Sequence, residues 1–376
     1  MNPLHTSRIA IVGAGLAGLY AAYLLEQRGI NDYVLLEARD VLGGRVASVS
    51  PDSNATLSGA SGAFDLGPSW FWPGFQHALG ALVESLGLTS FAQFETGDMI
   101  VERSVSAPPV RMQGFVNAPP SMRLNGGMKA LIEALRQHVN PERIITGQTV
   151  RRLAISDKTV ELNCEAEDGR MNKWRAEHVL LAVPPRLAEQ SIAFSPSLPV
   201  DLARQWHETA TWMAPHAKYI ALYSTPFWRQ QNLSGEARSL LGPLGEIHDA
   251  SHPDGHAALF GFFSLPAQVR ESVGQDVLRQ HCRTQLARLF GPQAASPVAD
   301  FIKDWASEPL TTTPADHQPS EHHSMPPPVT TGEGPWRYRL TGIASEWGPQ
   351  FSGYLAGAVE AAANGIAGLP DAVIKH

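Results

Sequence analysis

The chain has 376 residues, 29 Lys+Arg against 36 Asp+Glu for a formal net charge of −7, and a hydrophobic fraction of 43%. That length allows two or three domains, the apolar fraction excludes disorder, and the acidic balance argues against an overall basic field that would hold nucleic acid. The two cysteines, Cys164 and Cys282, make neither a disulfide framework nor a zinc cluster, and no stretch reaches the ~18 apolar residues that span a bilayer, so a reducing cytoplasm without a membrane partner is expected.

Residues 8–12 (RIAIV) read as a buried parallel strand, and 13–18 (GAGLAG) as a turn into a helix running to about 28. A second buried strand follows at 33–37 (YVLLE), then a loop at 38–45 (ARDVLGGR) with two adjacent glycines. Residues 51–63 read as a Ser/Gly/Ala-rich surface hairpin or loop, and 64–71 (FDLGPSWF) as a compact aromatic segment. Helical patterns occupy 76–86 and 128–138. Strands of a small sheet are expected at 143–155, 160–165 and 173–177, with a separate buried strand at 179–183 stopped by Pro184 and Pro185. Residues 217–223 alternate as a strand, 277–290 form a helix, and 311–334 read as an irregular Pro/Thr/His-rich connection. A last strand at 339–344 and a closing helix at 353–367 complete the pattern. A β-α-β opening, two excursions and a return to strand and helix predict an α/β nucleotide-binding domain built from discontinuous segments, with a second domain in the insertions.

The strongest motif is Gly13-x-Gly15-x-x-Gly18, placed between a strand and a helix as a dinucleotide cradle requires. The first glycine makes the turn, the second admits a pyrophosphate, and the third lets helix and strand pack. The helix N-terminus then turns bare N–H groups toward the phosphates. Glu37 ends the second strand, where a carboxylate accepts from adenosine ribose hydroxyls and repels a 2′-phosphate. Ala38 and Arg39 adjoin it. Arg45, after Gly43 and Gly44, brings a second donor set toward the same pyrophosphate.

GAGLAGLYAAYLLEQRG followed by VLLEARDVLGGR resembles the opening of the flavin-containing amine oxidase family, which includes monoamine, polyamine and L-amino acid oxidases. Further blocks in family order carry the resemblance along nearly the whole chain. They are DLGPSW at 65–70, NGGM at 125–128, VLLAVPP at 179–185, KYIALYSTPFW at 218–228, Asp304-Trp305, and SGYLAGAVE at 352–360. The resemblance implies a Rossmann-like FAD-binding domain over 1–75, 125–190 and 300–376, and an α+β substrate domain over 76–124 and 191–299. It implies that Gly67, Pro68, Ser69 and Trp70 lie near the flavin, that the Val150 backbone holds the adenine, and that Trp305 packs near the isoalloxazine. Glu346 matches an acid near the ribityl-phosphate chain. The Leu355 amide opens a helix toward the pyrimidine edge, which becomes anionic on reduction. Lys218 sits in an apolar strand, where an ammonium must be solvated, paired or neutralised. The family's matching lysine holds a water against flavin N5. Tyr354 matches an aromatic that faces the flavin.

The reaction so implied is hydride transfer from the carbon beside an amine nitrogen to flavin N5, leaving an imine, with O2 as acceptor and hydrogen peroxide as product. No cysteine or tyrosine follows Trp305 where monoamine oxidases tether flavin and place a second cage aromatic, so the FAD is expected to be non-covalent. Only 55 positions separate Trp70 from Asn125, which predicts a reduced substrate lid. Two other readings stay open: a C–C desaturase or porphyrinogen oxidase-like enzyme on the same fold, and a non-catalytic flavin-binding module. His317, His322 and His323 read as a solvated loop, and no metal site is expected.

Overall fold

The computed structural model describes residues 4–49, 63–253, 255–317 and 325–374. The expected loop at 51–63, apart from Ala63, lies outside the described residues, as do His322 and His323.

β1 (Leu4–Val12) and β2 (Tyr33–Leu36) run parallel and are joined by α1 (Leu16–Gln27). The last four residues of β1 and all of β2 are buried, as continuous apolar runs in a sheet covered on both faces must be. Beyond β1 lies one 11-residue strand, Met171–Leu181. Its first half pairs antiparallel with Thr159–Ala166 and its second half parallel with Leu340–Gly342. The expected break between 177 and 179 is therefore absent. No turn former stands there, and His178 is built into the strand, its Nδ1 2.8 Å from the Tyr338 carbonyl and its Nε2 3.0 Å from Thr341 Oγ1. Gln148–Ser156 and Ala193–Ser195 extend the antiparallel side, and Ile144–Ile145 borders β2.

The second sheet has seven strands in the order Ala299–Asp304, Ala217–Tyr223, Ala257–Phe263, Leu244–Asp249, Leu233–Ser239, Asp98–Glu102, Val110–Gln113. Every residue of Ala217–Tyr223 is buried. The alternation of that segment divides it between two covered faces rather than between core and solvent. Tyr219, Ala221 and Tyr223 join the core under the helix Gln275–Phe290, while Ile220 and Leu222 pack with Phe64 and Phe260. Ala193–Ser195 pairs in the first sheet and Ala299–Asp304 in the second. The closing helix Leu355–Ala367 packs on α1 through small residues that include Ala358, Val359 and Ala362. That packing brings two helix N-termini to one side of the first sheet.

Candidate active site

The glycine turn is dictated by close approaches of backbone to backbone. Gly13 takes φ +100°, a region that L side chains rarely adopt. A Cβ on Gly18 would stand 1.9 Å from the Gly13 carbonyl oxygen, so only glycine lets α1 start here. Gly15 differs: a Cβ there would meet no protein atom closer than 3.8 Å. The protein's own packing does not require that glycine, and the space its side chain would take belongs to a cavity. Gly44, at φ +57°, closes the second glycine turn against Gly15. Glu37 is buried at the end of β2, with Oε2 accepting from the Ala14 N–H (2.7 Å) and Oε1 from the Arg39 N–H (2.9 Å). A carboxylate offers about four acceptor sites, so two remain for a ligand.

One continuous cavity of about 720 Å³ runs from this turn to the second sheet. At one end it is lined by Gly13, Gly15, Glu37, Ala38, Arg39 and Val150. Gly44 lies there too, against Gly15, and Arg45, Gly67, Pro68, Ser69, Trp70, Lys218, Phe262, Trp305, Tyr354 and Leu355 line the rest, with Gly67 and Ser69 bonded to Lys218. Of the site residues expected from sequence, Gly18 and Glu346 stand behind the lining. The N-termini of α1 and of Leu355–Ala367 both reach the cavity, and neither has a capping side chain. Uncapped N–H groups of this kind suit an anionic ligand. The space at Gly15, the two open termini and Glu37 together fit a dinucleotide.

Lys218 is 2% exposed. Its Nζ donates to the Asp65 carbonyl (2.8 Å), the Gly67 carbonyl (2.9 Å) and Ser69 Oγ (2.7 Å), and lies 4.2 Å from the Phe260 ring centroid. Burial pushes its pKa down to about 7; the Asp65 charge opposes this and Arg123 adds to it. Its three ammonium hydrogens are thus all taken by the protein. Asp65 accepts from Ser48 Oγ and the Met128 N–H through Oδ1, so the DLGPSW and NGGM segments meet directly beneath the lysine. Asp65, Phe260 and Arg123 were not marked as site residues in the sequence, since only the fold brings them to the lysine. Arg123 is buried and donates to the carbonyls of Ala250 and Ser251.

Arg45 forms a two-pronged pair with Glu346, at 2.5 and 3.0 Å, and also donates to Ser345 Oγ (3.0 Å). The two residues were expected to act separately on the cofactor; in the structure they hold each other. Arg39 reaches Glu308 at 3.2 Å, and Glu308 also pairs with Lys303. Trp305 donates from Nε1 to the Leu66 carbonyl (3.1 Å) and so packs against the 65–70 segment. Tyr354 stands at the N-cap position of the closing helix without a side-chain bond to it, its ring 5.6 Å from that of Trp212 at 32°. Trp212 was missed in the sequence. Its one signal there was a tryptophan in a Pro/His-containing loop just ahead of the lysine strand. It supplies an aromatic partner to Tyr354 that the segment after Trp305 lacks.

Asp249 is committed to structure, accepting from Trp228 Nε1 and Arg229 Nε at 2.8 Å each. His317 is bonded to the Ala306 carbonyl. Among the described residues no group of three or more His, Cys, Asp or Glu could hold a metal ion, and no helix is long and apolar enough to cross a membrane.

Residues 96–364 match the family model for flavin containing amine oxidoreductase, and residues 11–86 that for an NAD(P)-binding Rossmann-like domain. A probable flavin-containing monoamine oxidase A from Dictyostelium discoideum is 25% identical, with 94% of this chain and 95% of that protein covered. Putrescine oxidase from Kocuria rosea is 26% identical, with 90% of each covered. Among solved structures, a putrescine oxidase bound to putrescine superimposes with a TM-score of 0.77 at 21% identity, covering 97% of this chain and 99% of that one. Cyclohexylamine oxidase from Brevibacterium oxydans gives 0.79 at 20% identity, covering 98% and 99%. The fold is that of the two-domain flavin amine oxidases. With its cradle, its buried lysine and a family match over most of its length, the chain belongs to the flavin-containing amine oxidoreductases and is an enzyme of that family.

Proposed function

We propose that this enzyme binds FAD non-covalently and oxidises a small-molecule amine to an imine. The observation that carries the reading is the single cavity, which has a phosphate-suited glycine turn at one end and a buried lysine with two aromatic rings at the other. FAD bound there would supply a two-electron acceptor for the hydride lost from the carbon beside the amine nitrogen, which would leave an imine for water to hydrolyse and two electrons for O2 to take up with two protons as hydrogen peroxide. The rest is work for the chain. Glu37, with Ala38 and Arg39 beside it, receives the adenosine ribose, and the Val150 backbone meets the adenine. Gly15 and Gly44 admit the pyrophosphate, while Gly13 makes the turn and Gly18 lets α1 start against it. Arg45 reaches it already oriented by Glu346, which compensates its charge. Gly67, Pro68, Ser69, Trp70 and Trp305 wall the place for the ring system, and the Leu355 helix end turns its positive pole to the edge that gains negative charge. Trp212 and Tyr354 flank the amine, which must arrive unprotonated, so flavin reduction should quicken with pH toward the substrate's own pKa. No cysteine lines the cavity, and Cys164 and Cys282 are buried elsewhere, which supports a non-covalent cofactor.

Two measurements test this. Acid precipitation should release yellow FAD into the supernatant; colour retained in the pellet would overturn the non-covalent assignment. An anaerobic screen of amines and amino acids should find substrates that bleach the flavin. Failure of every amine, with bleaching by a C–C substrate, would overturn the amine assignment.

A further inference from the structure

Phe71 is bridged to Met122 through both backbone bonds (3.0 and 2.8 Å), which holds the 70–72 segment extended. Alternate side chains leave such a segment on opposite sides. Phe71 enters a buried core, while Trp70 and Trp72 both line the cavity. An indole has a single hydrogen-bond donor. Trp70 Nε1 gives its hydrogen to Gln93 Oε1 (2.9 Å), and Trp72 Nε1 gives its hydrogen to Ser121 Oγ (2.9 Å). Gln93 and Ser121 are buried and joined to each other, the Gln93 N–H donating to the Ser121 carbonyl (2.8 Å). They adjoin the two strands of one short ribbon, Ser90–Ala92 and Met122–Leu124. The ribbon thus takes the polar edge of both indoles. Trp72 is the outer of the two. Its ring stacks on Phe75 (5.9 Å, 16°), which is 45% exposed, and Phe75 lies 6.1 Å from Phe351. The Phe351 carbonyl accepts from the Tyr354 N–H (3.0 Å), so Trp72 belongs to the Tyr354 side of the cavity, next to solvent. Glu246 and Arg238, which also line the cavity, pair with each other.

We propose that Ser121 is a positioning residue for the substrate: by holding the Trp72 indole at its N–H, it fixes the ring face against which the hydrocarbon part of the amine packs. This inference rests on the amine reading above. Ser121 stands behind the cavity lining and acts on its contents only through Trp72. Without the hydroxyl, the Trp72 N–H faces an apolar gap, and a buried donor left without an acceptor is costly. Solvent beside Phe75 offers the nearest replacement, so the indole turns its edge outward and the flat wall is lost. Gln93 is the less selective of the two pins. Its Nε2 also donates to the carbonyls of Asp249 (2.7 Å) and Phe94 (3.2 Å), so removing it disturbs the end of a strand as well as Trp70.

The experiment measures the binding of two amines to the FAD-loaded protein by titration calorimetry at alkaline pH. The probes are 2-phenylpropan-2-amine and tert-butylamine. Neither has a hydrogen on the carbon beside nitrogen, so neither can be oxidised there and binding is read alone. They differ by a phenyl ring in place of a methyl group. Wild type should bind the phenyl compound more tightly. In Ser121→Ala that preference should fall about tenfold, the worth of one lost hydrogen bond, while the affinity for tert-butylamine stays nearly as it was. Ser121→Thr keeps the hydroxyl and should restore the preference, whereas a merely structural role would weaken both amines alike. Trp72→Phe removes the same bond from the other side, so adding Ser121→Ala to it should lower the preference no further. The inference is overturned if wild type shows no preference, if Ser121→Ala leaves the preference unchanged or weakens both amines alike, or if its effect persists in the Trp72→Phe background. If Ser121→Ala does not fold, Ser121→Cys, a weak acceptor, takes its place with the same expectations. A colourless protein, or one that no amine bleaches, would sink the reaction proposed above, a failure distinct from an unchanged preference between two unreactive amines.

Discussion

The two ends of the cavity are built on opposite principles. The glycine end is made of backbone: turns at Gly13 and Gly44, the uncapped start of α1, and one carboxylate held by two N–H groups. Its parts lie within a short stretch of chain. The lysine end is made of side chains from distant segments: Lys218, Phe262, Trp212, Tyr354 and Ser69, with no two of the first four on the same element. A backbone site tolerates little variation in residue type, because each glycine answers a steric demand. A side-chain site tolerates variation in where its groups come from, and here Trp212 stands where a later segment provides no ring.

The sharpest way to break this comparison is at the glycines. Gly15→Val should fold and lose the flavin altogether, since the added atoms enter the cavity rather than the protein. Gly18→Val should instead fail to fold, because its Cβ meets the Gly13 carbonyl at 1.9 Å. A soluble, cooperative but colourless Gly15 variant beside an insoluble Gly18 variant is the expected pair of results. A yellow Gly15→Val protein would show that the cradle is assigned to the wrong residue.

Asp316→Ala should be the next largest effect. Asp316 is buried, pairs with Arg186 at 2.6 Å and accepts from the Thr211 N–H (3.0 Å), immediately before Trp212. Leaving Arg186 buried and unpaired costs about 3–5 kcal/mol. Denaturant melts should show that loss, and the KM for substrate should rise as the Trp212 loop loosens.

Lys218→Met sharpens the other end. Flavin binding should persist while reoxidation of the pre-reduced enzyme slows roughly a hundredfold, the usual worth of one preorganised electrostatic contact in a dry site. Stopped-flow mixing with oxygenated buffer reads it, and an unchanged rate would make the lysine purely structural. The same variant carries a stability test. The native pKa of about 7 lies below the unfolded value of 10.5, so the unfolded chain binds more protons between those limits and wild-type stability should rise with pH across them. The melting temperature of wild-type apoprotein, relative to Lys218→Met, should climb from about pH 7 toward alkaline pH.

The smallest effect belongs to the first sheet. Burial pushes His178 down to about 4, against the Tyr338 carbonyl bond that raises it. Its contribution is whole above the unfolded value of 6.5 and is lost as pH falls toward 4, because the unfolded chain then takes up a proton that the strand excludes. His178→Gln should lessen the fall in melting temperature over that acid window while leaving neutral stability within about 1 kcal/mol.

The sequence by itself determined the β-α-β opening, the glycine turn, the carboxylate after β2 and the closing helix. Each rests on local rules: an apolar run long enough for a strand, a glycine where a Cβ has no room, a helix that follows. It also marked Lys218, because an ammonium inside KYIALY is a local contradiction that demands a partner. Tertiary structure alone decided who those partners are. Asp65, Gly67 and Ser69 lie some 150 residues away along the chain, and their bonds to Nζ depend on how the 65–70 segment crosses the second sheet. The union of 173–177 with 179–183 into one strand was likewise invisible, since a buried histidine with two bonding partners looks like any polar interruption until the loop that supplies those partners is in place. Trp212 beside Tyr354 and Glu346 on Arg45 belong to the same class. Local sequence encodes what a residue's own backbone can do; which side chains converge on a shared volume is set by packing, whose determinants are spread over the whole chain.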